Sequence, residues 1–233
     1  MKKYAVSWSS GKDAAYALLK MQQDHLSKVE TLVCTLEQSQ KRVSMHGIGE
    51  ELLDLQSQAL NLPLKKIYLP NNISMAEYSA VMKKEFNTLK QEKIDTVIFG
   101  DILLQDIKEY REKEMDGVGI SASFPLWKLN TQKLAKEIIE SGIKARVVAV
   151  SAKVLDESFV GREYDLQFLA DLPSGVDPCG ENGEFHTFVY DAPNFCFTVN
   201  HVVGENVLRS YSKKGNEKEK WETSFWFCNV LPK

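Results

Sequence analysis

The sequence predicts an α/β protein: a Rossmann-like parallel sheet with helices on both faces, followed by a smaller α+β domain. Three observations carry this. Short apolar runs of strand type alternate with segments of helical period four times in succession from the N-terminus. A small Ser/Gly-rich turn links the first run to the first helix, as in folds that hold anions at the carboxyl ends of parallel strands. After about Trp127 the texture changes to glycine-rich turns and aromatic, strand-like runs, which sets the domains at residues 1–127 and 128–233.

Taken in order, Tyr4-Ala5-Val6 is the first strand, and Ala14 to Met21 the helix it feeds. Thr31 to Thr35 reads as a buried strand, and the polar stretch Glu37 to Met45 as the loop at its end. Glu50 to Leu60 carries Leu52, Leu53, Leu55 and Ala59 at helical spacing, and Leu62 to Leu69 is a strand that Pro70 stops. Ser74 caps a helix reaching Glu92, with Glu77 in the capping-box position. Thr96 to Gly100 is a fourth strand ending at Asp101, Leu103 to Lys113 a helix, Ala122 to Leu126 a short run ended by Pro125, and Thr131 to Ser141 a helix closed by Gly142. Strand-like runs follow at Ala145 to Val150, Phe185 to Tyr190, Phe195 to Val203, Val207 to Tyr211 and Thr223 to Val230, with Lys213 to Lys220 as a solvated connection between the last two.

The chemistry begins at SWSSGKDA, Ser7 to Ala14. A strand, a tight turn and a helix N-terminus converge there, so unpaired amides and the positive end of the helix dipole make an anion site. Ser10 with Asp13 three residues on is also close to a capping box, which is the plainer reading. Lys12 favours the anion site, because a cation in the first helical turn opposes the dipole at a cost of about 0.3–1 kcal/mol unless a bound anion reverses the sign. On this reasoning, removing Lys12 should leave the nucleotide-free fold no less stable. The loop is not a Walker A motif: Val6 stands where that motif has its first glycine, and Asp13 where it has the hydroxyl that holds magnesium.

Composition narrows the class. With 233 residues, 43% hydrophobic and 26% charged, the chain is long enough to bury a sizeable core, and a net charge of −3 gives no general attraction to nucleic acid. Cys34, Cys179, Cys196 and Cys228 form no Cys-x-x-Cys pair, so neither a zinc ribbon nor a redox dithiol is indicated, and reduced thiols in a cytoplasmic protein are expected. The first apolar run is broken too early for a secretory signal, and no segment approaches the ~18 uninterrupted apolar residues of a membrane span. A homodimer is left open.

The second dense stretch is DPCGENGEFHTFVYDAP, Asp177 to Pro193, where Gly180 and Gly183 flank Glu181 and Glu184 with His186 close by. Two carboxylates beside a tight glycine turn can hold a magnesium ion or an ammonium group. The alternative is a polar turn entering a strand.

Ser9-Ser10-Gly11-Lys12-Asp13-Ala14 resembles the PP-loop, Ser-Gly-Gly-Lys-Asp-Ser, of the ATP pyrophosphatase superfamily, which has a HUP-type Rossmann-like fold. Ser10 stands in place of a glycine and Ala14 in place of the final serine. Together with Gly100-Asp101-Ile102, Pro125-Leu126-Trp127, Gly161-Arg162 and Cys179-Gly-Glu-Asn-Gly-Glu-Phe-His-Thr187, the stretch resembles the diphthine-ammonia ligase family over nearly the whole chain. That family reads Cys-Gly-Glu-Gly-Gly-Glu-Tyr-Glu-Thr, from which Asn182, Phe185 and His186 depart. The resemblance implies ATP and Mg2+ as cofactors, cleavage of ATP to AMP and pyrophosphate, and ligation of ammonia to a carboxylate. It further implies that Ser9, Ser10, Gly11, Lys12 and Asp13 cradle phosphate with help from Arg162, and that Asp13 and Asp101 face the metal. Lys12, Asp101, Glu181 and Glu184 would then serve the chemistry, and His46, Trp127, Gly180, Gly183 and His186 the substrate. Plainer readings stand beside these: Asp101 as a helix N-cap, Trp127 as a core plug, His46 as a surface or capping histidine, and Arg162 paired with Glu163 or Asp165. Two other functions remain open at this point, a sulfur-transfer PP-loop enzyme acting on RNA and a non-catalytic adenine-nucleotide sensor.

Overall fold

The computed structural model describes residues 2–23, 27–212 and 222–233. The charged connection read at Lys213 to Lys220 lies outside the described residues. Strand β1 (Lys2–Ser7) pairs in parallel with β2 (Ser27–Glu37) on one side and β5 (Thr96–Ile98) on the other. Strand β4 (Leu64–Leu69) extends the sheet beyond β2 and β6 (Ser121–Ser123) extends it beyond β5, both in parallel. From β1 the chain therefore winds outward to β2 and β4, returns, and winds outward the other way through β5 and β6. The carboxyl ends of β1 and β5 form the switch point where such sheets open a crevice.

Side chains alternate across this sheet as the strand period of two requires. Ala5, Val33 and Val97 pack with Phe86, Leu89 and Met115, that is, against α3 (Met75–Gln91) and α4 (Gln105–Asp116). Val6, Leu32 and Ile98 point the opposite way, toward α1 (Lys12–Gln22), α2 (Glu50–Leu60) and α5 (Thr131–Glu140). Helix α3 opens with the expected capping box between Ser74 and Glu77.

The second sheet is antiparallel in the order β8-β7-β10-β9, from β7 (Lys144–Ser151), β8 (Phe185–Asp191), β9 (His201–Ser212) and β10 (Glu222–Pro232), with α6 (Leu166–Asp171) between β7 and β8. Its inner side chains, among them Val147, Phe185, Phe188 and Val230, belong to the same buried cluster as Val6 and Leu18. One apolar core thus joins both sheets through the α1–α2 layer.

Several stretches differ from the sequence reading; the end of the run read at Phe195 to Val203 and the one at Val207 to Tyr211, for instance, form the single strand β9. Within Glu37 to Met45 a short strand β3 (Arg42–Val43) folds back antiparallel on Leu36 and Glu37, residues whose other edge pairs with β4. It therefore projects past the end of β1 and carries His46 over the crevice. The run Phe195 to Val203 is strand only from His201, because its earlier amides bond elsewhere: Cys196 N–H donates to the Ala59 carbonyl and Val199 N–H to that of Tyr190.

Candidate active site

The carboxyl ends of β1 and β5 and the turn before β8 enclose a cleft of about 530 Å³, within the range of small-molecule sites. Its first wall is the Ser7–Ala14 turn. Ser10 takes a left-handed φ of 71°, a conformation glycine adopts without strain, and Gly11 rather than Ser10 is the N-cap of α1, with no side-chain capping bond. The Ser10–Asp13 capping box is therefore absent. The turn is instead fixed from outside: Val189 N–H and Gln56 Nε2 both donate to the Ser10 carbonyl, and Gln56 accepts from the Trp8 indole. The Thr187 hydroxyl accepts from Lys12 N–H at 3.1 Å, so a strand of the second sheet caps the helix of the first. Gly11 and Gly100 are required by close approach. A Cβ on Gly11 would lie 2.8 Å from His46 Cε1, and one on Gly100 2.8 Å from the Asp13 carbonyl carbon.

Lys12 is only 1% exposed. Its ammonium contacts both Asp13 oxygens, at 2.9 and 3.1 Å, and the Cys179 carbonyl, and lies over the faces of Tyr164 and Phe185 at 5.3 and 5.2 Å. Burial works against its charge, but Asp13 foremost, with further help from Cys179 and Glu181, outweighs that and raises its pKa above the ordinary lysine value. The expectation that Lys12 stands in the nucleotide-free fold only as an opponent of the helix dipole is thereby corrected: it is the buried partner of a carboxylate and a carbonyl. Cys179 is no nucleophile, since burial pushes its thiol up to about 12.

Asp101 does not cap α4, whose N-cap is Leu104; it faces the cleft and pairs with Arg111 Nε at 3.1 Å. The Arg111 guanidinium lies 4.3 Å from the Phe99 ring centroid and lines the same wall. Sequence reasoning passed over Arg111, although its place on one face of the helix that follows Asp101 was a usable signal. Thr187 and Gln56 were also missed, and for them there was no local signal, because their partners are far away in the chain.

The opposite wall is the turn Cys179–Phe185. Gly180 and Gly183 have φ of 70° and 81°, and a Cβ on Gly180 would meet the Phe185 carbonyl oxygen at 2.7 Å. Glu181 lines the cleft and accepts the N–H groups of Ile102 and Leu103 through one oxygen, at 2.9 and 2.8 Å, tying this turn to the end of β5. Burial raises its pKa despite those two bonds. Glu184 does not line the cleft. It is buried and accepts from the Asp177 and Asn182 amides and the Asn182 side chain, so its carboxylate holds the turn together.

His46 and His186 meet at the cleft with ring centroids 4.8 Å apart. His46 Nδ1 lies 3.0 Å from the Thr187 carbonyl. Burial first, and the Lys12 charge in addition, pushes His46 down to about 4; His186 is driven well below the usual value by burial, His46 and Lys12.

Besides Glu184, two predicted site residues, Arg162 and Trp127, stand apart from the cleft. Arg162 pairs with Asp171 at 2.5 Å, not with Glu163 or Asp165, and covers the rings of Phe159 and Phe168. Trp127 packs edge-on against Phe124 with the Lys108 ammonium over its ring. Neither contributes to the cleft wall. Ser9, by contrast, does, along with Lys12 and Asp13.

Among the described residues no helix is long and apolar enough to cross a membrane, and no group of three or more His, Cys, Asp or Glu side chains is gathered for a metal ion. All four cysteines are free thiols.

Comparison with known proteins gives a consistent answer for both sheets. The diphthamide synthase N-terminal domain matches residues 1–122 and the diphthamide synthase C-terminal domain residues 130–230. Diphthine–ammonia ligase of Homo sapiens is 29% identical over 165 residues, covering 64% of this chain and 61% of its own. The enzyme of that name from Danio rerio is 26% identical over 190 residues, 70% of each chain, and that from Schizosaccharomyces pombe 24% identical over 209 residues, 80% of this chain and 34% of its own. The chain thus spans 61% of the length of the human relative it matches. With matches to the family's N- and C-terminal domains in order along the sequence, this chain belongs to the diphthamide synthase family.

Proposed function

We propose that the protein is an ATP-dependent, amide-forming ligase that adenylates a substrate carboxylate, releases AMP and pyrophosphate, and transfers the acyl group to ammonia. The observation that carries this reading is the joining of the two motifs at one cleft. Thr187 caps Lys12 and Glu181 grips the end of β5, so the anion-binding turn and the glycine turn before β8 face the same space. The name shared by the relatives, diphthine–ammonia ligase, supports the same chemistry.

In this reading the triphosphate lies along the N-terminus of α1, where the helix dipole and the Lys12 ammonium stabilise charge that grows on the departing pyrophosphate. On ligand binding Lys12 exchanges part of its contact with Asp13 for phosphate oxygens. Asp13 and Asp101, carboxylates at adjacent strand ends, suit magnesium, which commonly takes one or two carboxylates together with phosphate oxygens and would neutralise charge on the leaving group. Glu181 acts as a positioning residue that keeps the acyl side of the cleft against the nucleotide side. A cytoplasmic setting is supported by the four free thiols. The first carboxylate to try is a diphthine-bearing protein fragment, after the name of the relatives.

Incubation with magnesium, ATP labelled at the alpha phosphate, ammonium chloride and that fragment should give labelled AMP and pyrophosphate in equal amounts, dependent on both co-substrates. Labelled ADP as the main product would overturn the ligase. Nucleotide binding without turnover on any carboxylate would favour the sensor.

A further inference from the structure

The carboxylates that the motif offers as holders of ammonia are engaged elsewhere. Glu181 gives one oxygen to two backbone amides across the cleft, and Glu184 is buried in bonds within its own turn. What strand β8 presents to the cleft instead is an imidazole. His186 Nε2 is buried with no hydrogen-bond partner among the described residues. Buried polar atoms without partners are rare in native proteins, and a small polar ligand can satisfy one.

The neighbouring ring has the complementary chemistry. The Thr187 carbonyl oxygen can only accept, so His46 Nδ1, 3.0 Å away, carries the hydrogen and its Nε2 keeps a lone pair. Both rings are held neutral by burial and by the Lys12 charge nearby. Phe225 of β10 lies 6.4 Å from the His186 ring, and Gly11 of the Ser7–Ala14 turn approaches His46 so closely that a Cβ there would lie 2.8 Å from its Cε1. No carboxylate is bonded to either ring among the described residues. Two neutral imidazoles, an aromatic wall and an adjacent anion-binding turn suit a small neutral N–H donor and disfavour a cation that keeps its charge.

We propose that His46 and His186 form the ammonia subsite of the enzyme. This rests on the ligase reading above and assigns a place to its second co-substrate. Ammonium sheds one proton to solvent as it enters as ammonia. The nitrogen lone pair attacks the carbonyl carbon of the acyl-adenylate, the C–N bond forms, and the C–O bond to the phosphate breaks with its electrons leaving on AMP. The proton released from nitrogen passes to an imidazole lone pair and on to water.

The test needs no carboxylate substrate. The full chain, labelled with 15N in its histidine rings, is titrated with ammonium chloride at fixed pH and ionic strength, with potassium chloride as the control of equal charge. Saturable shifts of the His46 and His186 ring nitrogens are expected with ammonium and not with potassium. His186→Gln, and separately His46→Gln, should raise the half-saturating ammonium concentration at least about tenfold, and agreement of the two guards against one misfolded variant. Absence of saturable shifts, or equal shifts with potassium, overturns the subsite. AMP formation without these shifts removes the subsite and leaves the ligase; shifts without AMP formation on any carboxylate remove the ligase and leave the subsite as an ammonia site.

Discussion

The Ser7–Ala14 turn and the Cys179–Phe185 turn both use glycines, both carry charged residues, and both end at the same cleft, yet they spend their charges in opposite ways. In the first, a buried cation lines the cleft, held by one carboxylate and one carbonyl. In the second, the acids are consumed by backbone amides, Glu184 within the turn and Glu181 across the cleft. Beside this turn the cleft is lined by two neutral rings, His186 at the start of β8 and His46 from the loop after β3. A charged residue in a glycine-rich motif is thus read correctly only once its hydrogen-bond partners are known.

Lys12→Met should produce the largest change. It ought to weaken ATP binding tenfold to a hundredfold, the loss of a charge-assisted bond of about 1.5–3 kcal/mol. It should also destabilise the nucleotide-free protein by roughly 3 kcal/mol, because Asp13 and the Cys179 carbonyl lose their buried partner. Urea unfolding with and without nucleotide separates the two, and an unchanged apo midpoint would show that the lysine is not structural.

Glu184→Ala should cost about 1.5–3 kcal/mol in the same unfolding experiment, since it strands the Asp177 and Asn182 amides. Nucleotide affinity should hold wherever the protein is folded. A variant as stable as the parent but devoid of turnover would return Glu184 to the chemistry and erase the contrast between the turns.

The histidine pair makes a pH prediction with a definite sign. His46 is depressed from an ordinary value near 6.5 to about 4, and His186 in the same direction, so between these values the unfolded chain binds more protons than the folded one. Stability is therefore fully present above pH ~6.5 and falls on acidification toward pH ~4, by about 1.4 kcal/mol per pH unit for each ring charged only when unfolded. Replacing either histidine by Gln should flatten that slope, measured as urea midpoints across the window; an unchanged slope would show that the rings titrate freely.

Arg162→Ala should do least. Its pairing with Asp171 is part-exposed, so a loss of roughly 0.2–1 kcal/mol is expected and ATP affinity should not move. A tenfold weakening of nucleotide binding would bring Arg162 back to the phosphates and enlarge the first region of the comparison.

By itself the sequence determined what depends on local order: the alternation that builds the parallel sheet, the Ser74–Glu77 capping box, the bounds of α2, and the strand-turn-helix arrangement around Ser9 to Asp13. It also brought forward both glycine turns, and, through the family resemblance, His46 and His186. Only the tertiary structure decided who their partners are. Lys12 and Thr187 are 175 residues apart, Gln56 and Val189 133, and Ile102 and Glu181 79, and no local periodicity encodes such pairings. The same holds for the misplaced expectations. Glu184 and Arg162 look like functional charges in the chain, and become a turn staple and a surface pair once folding fixes which amides and carboxylates come within reach. Hydrogen-bond donors and acceptors act over about 3 Å, so their roles are set by the packing that closes those gaps, after the local elements have formed.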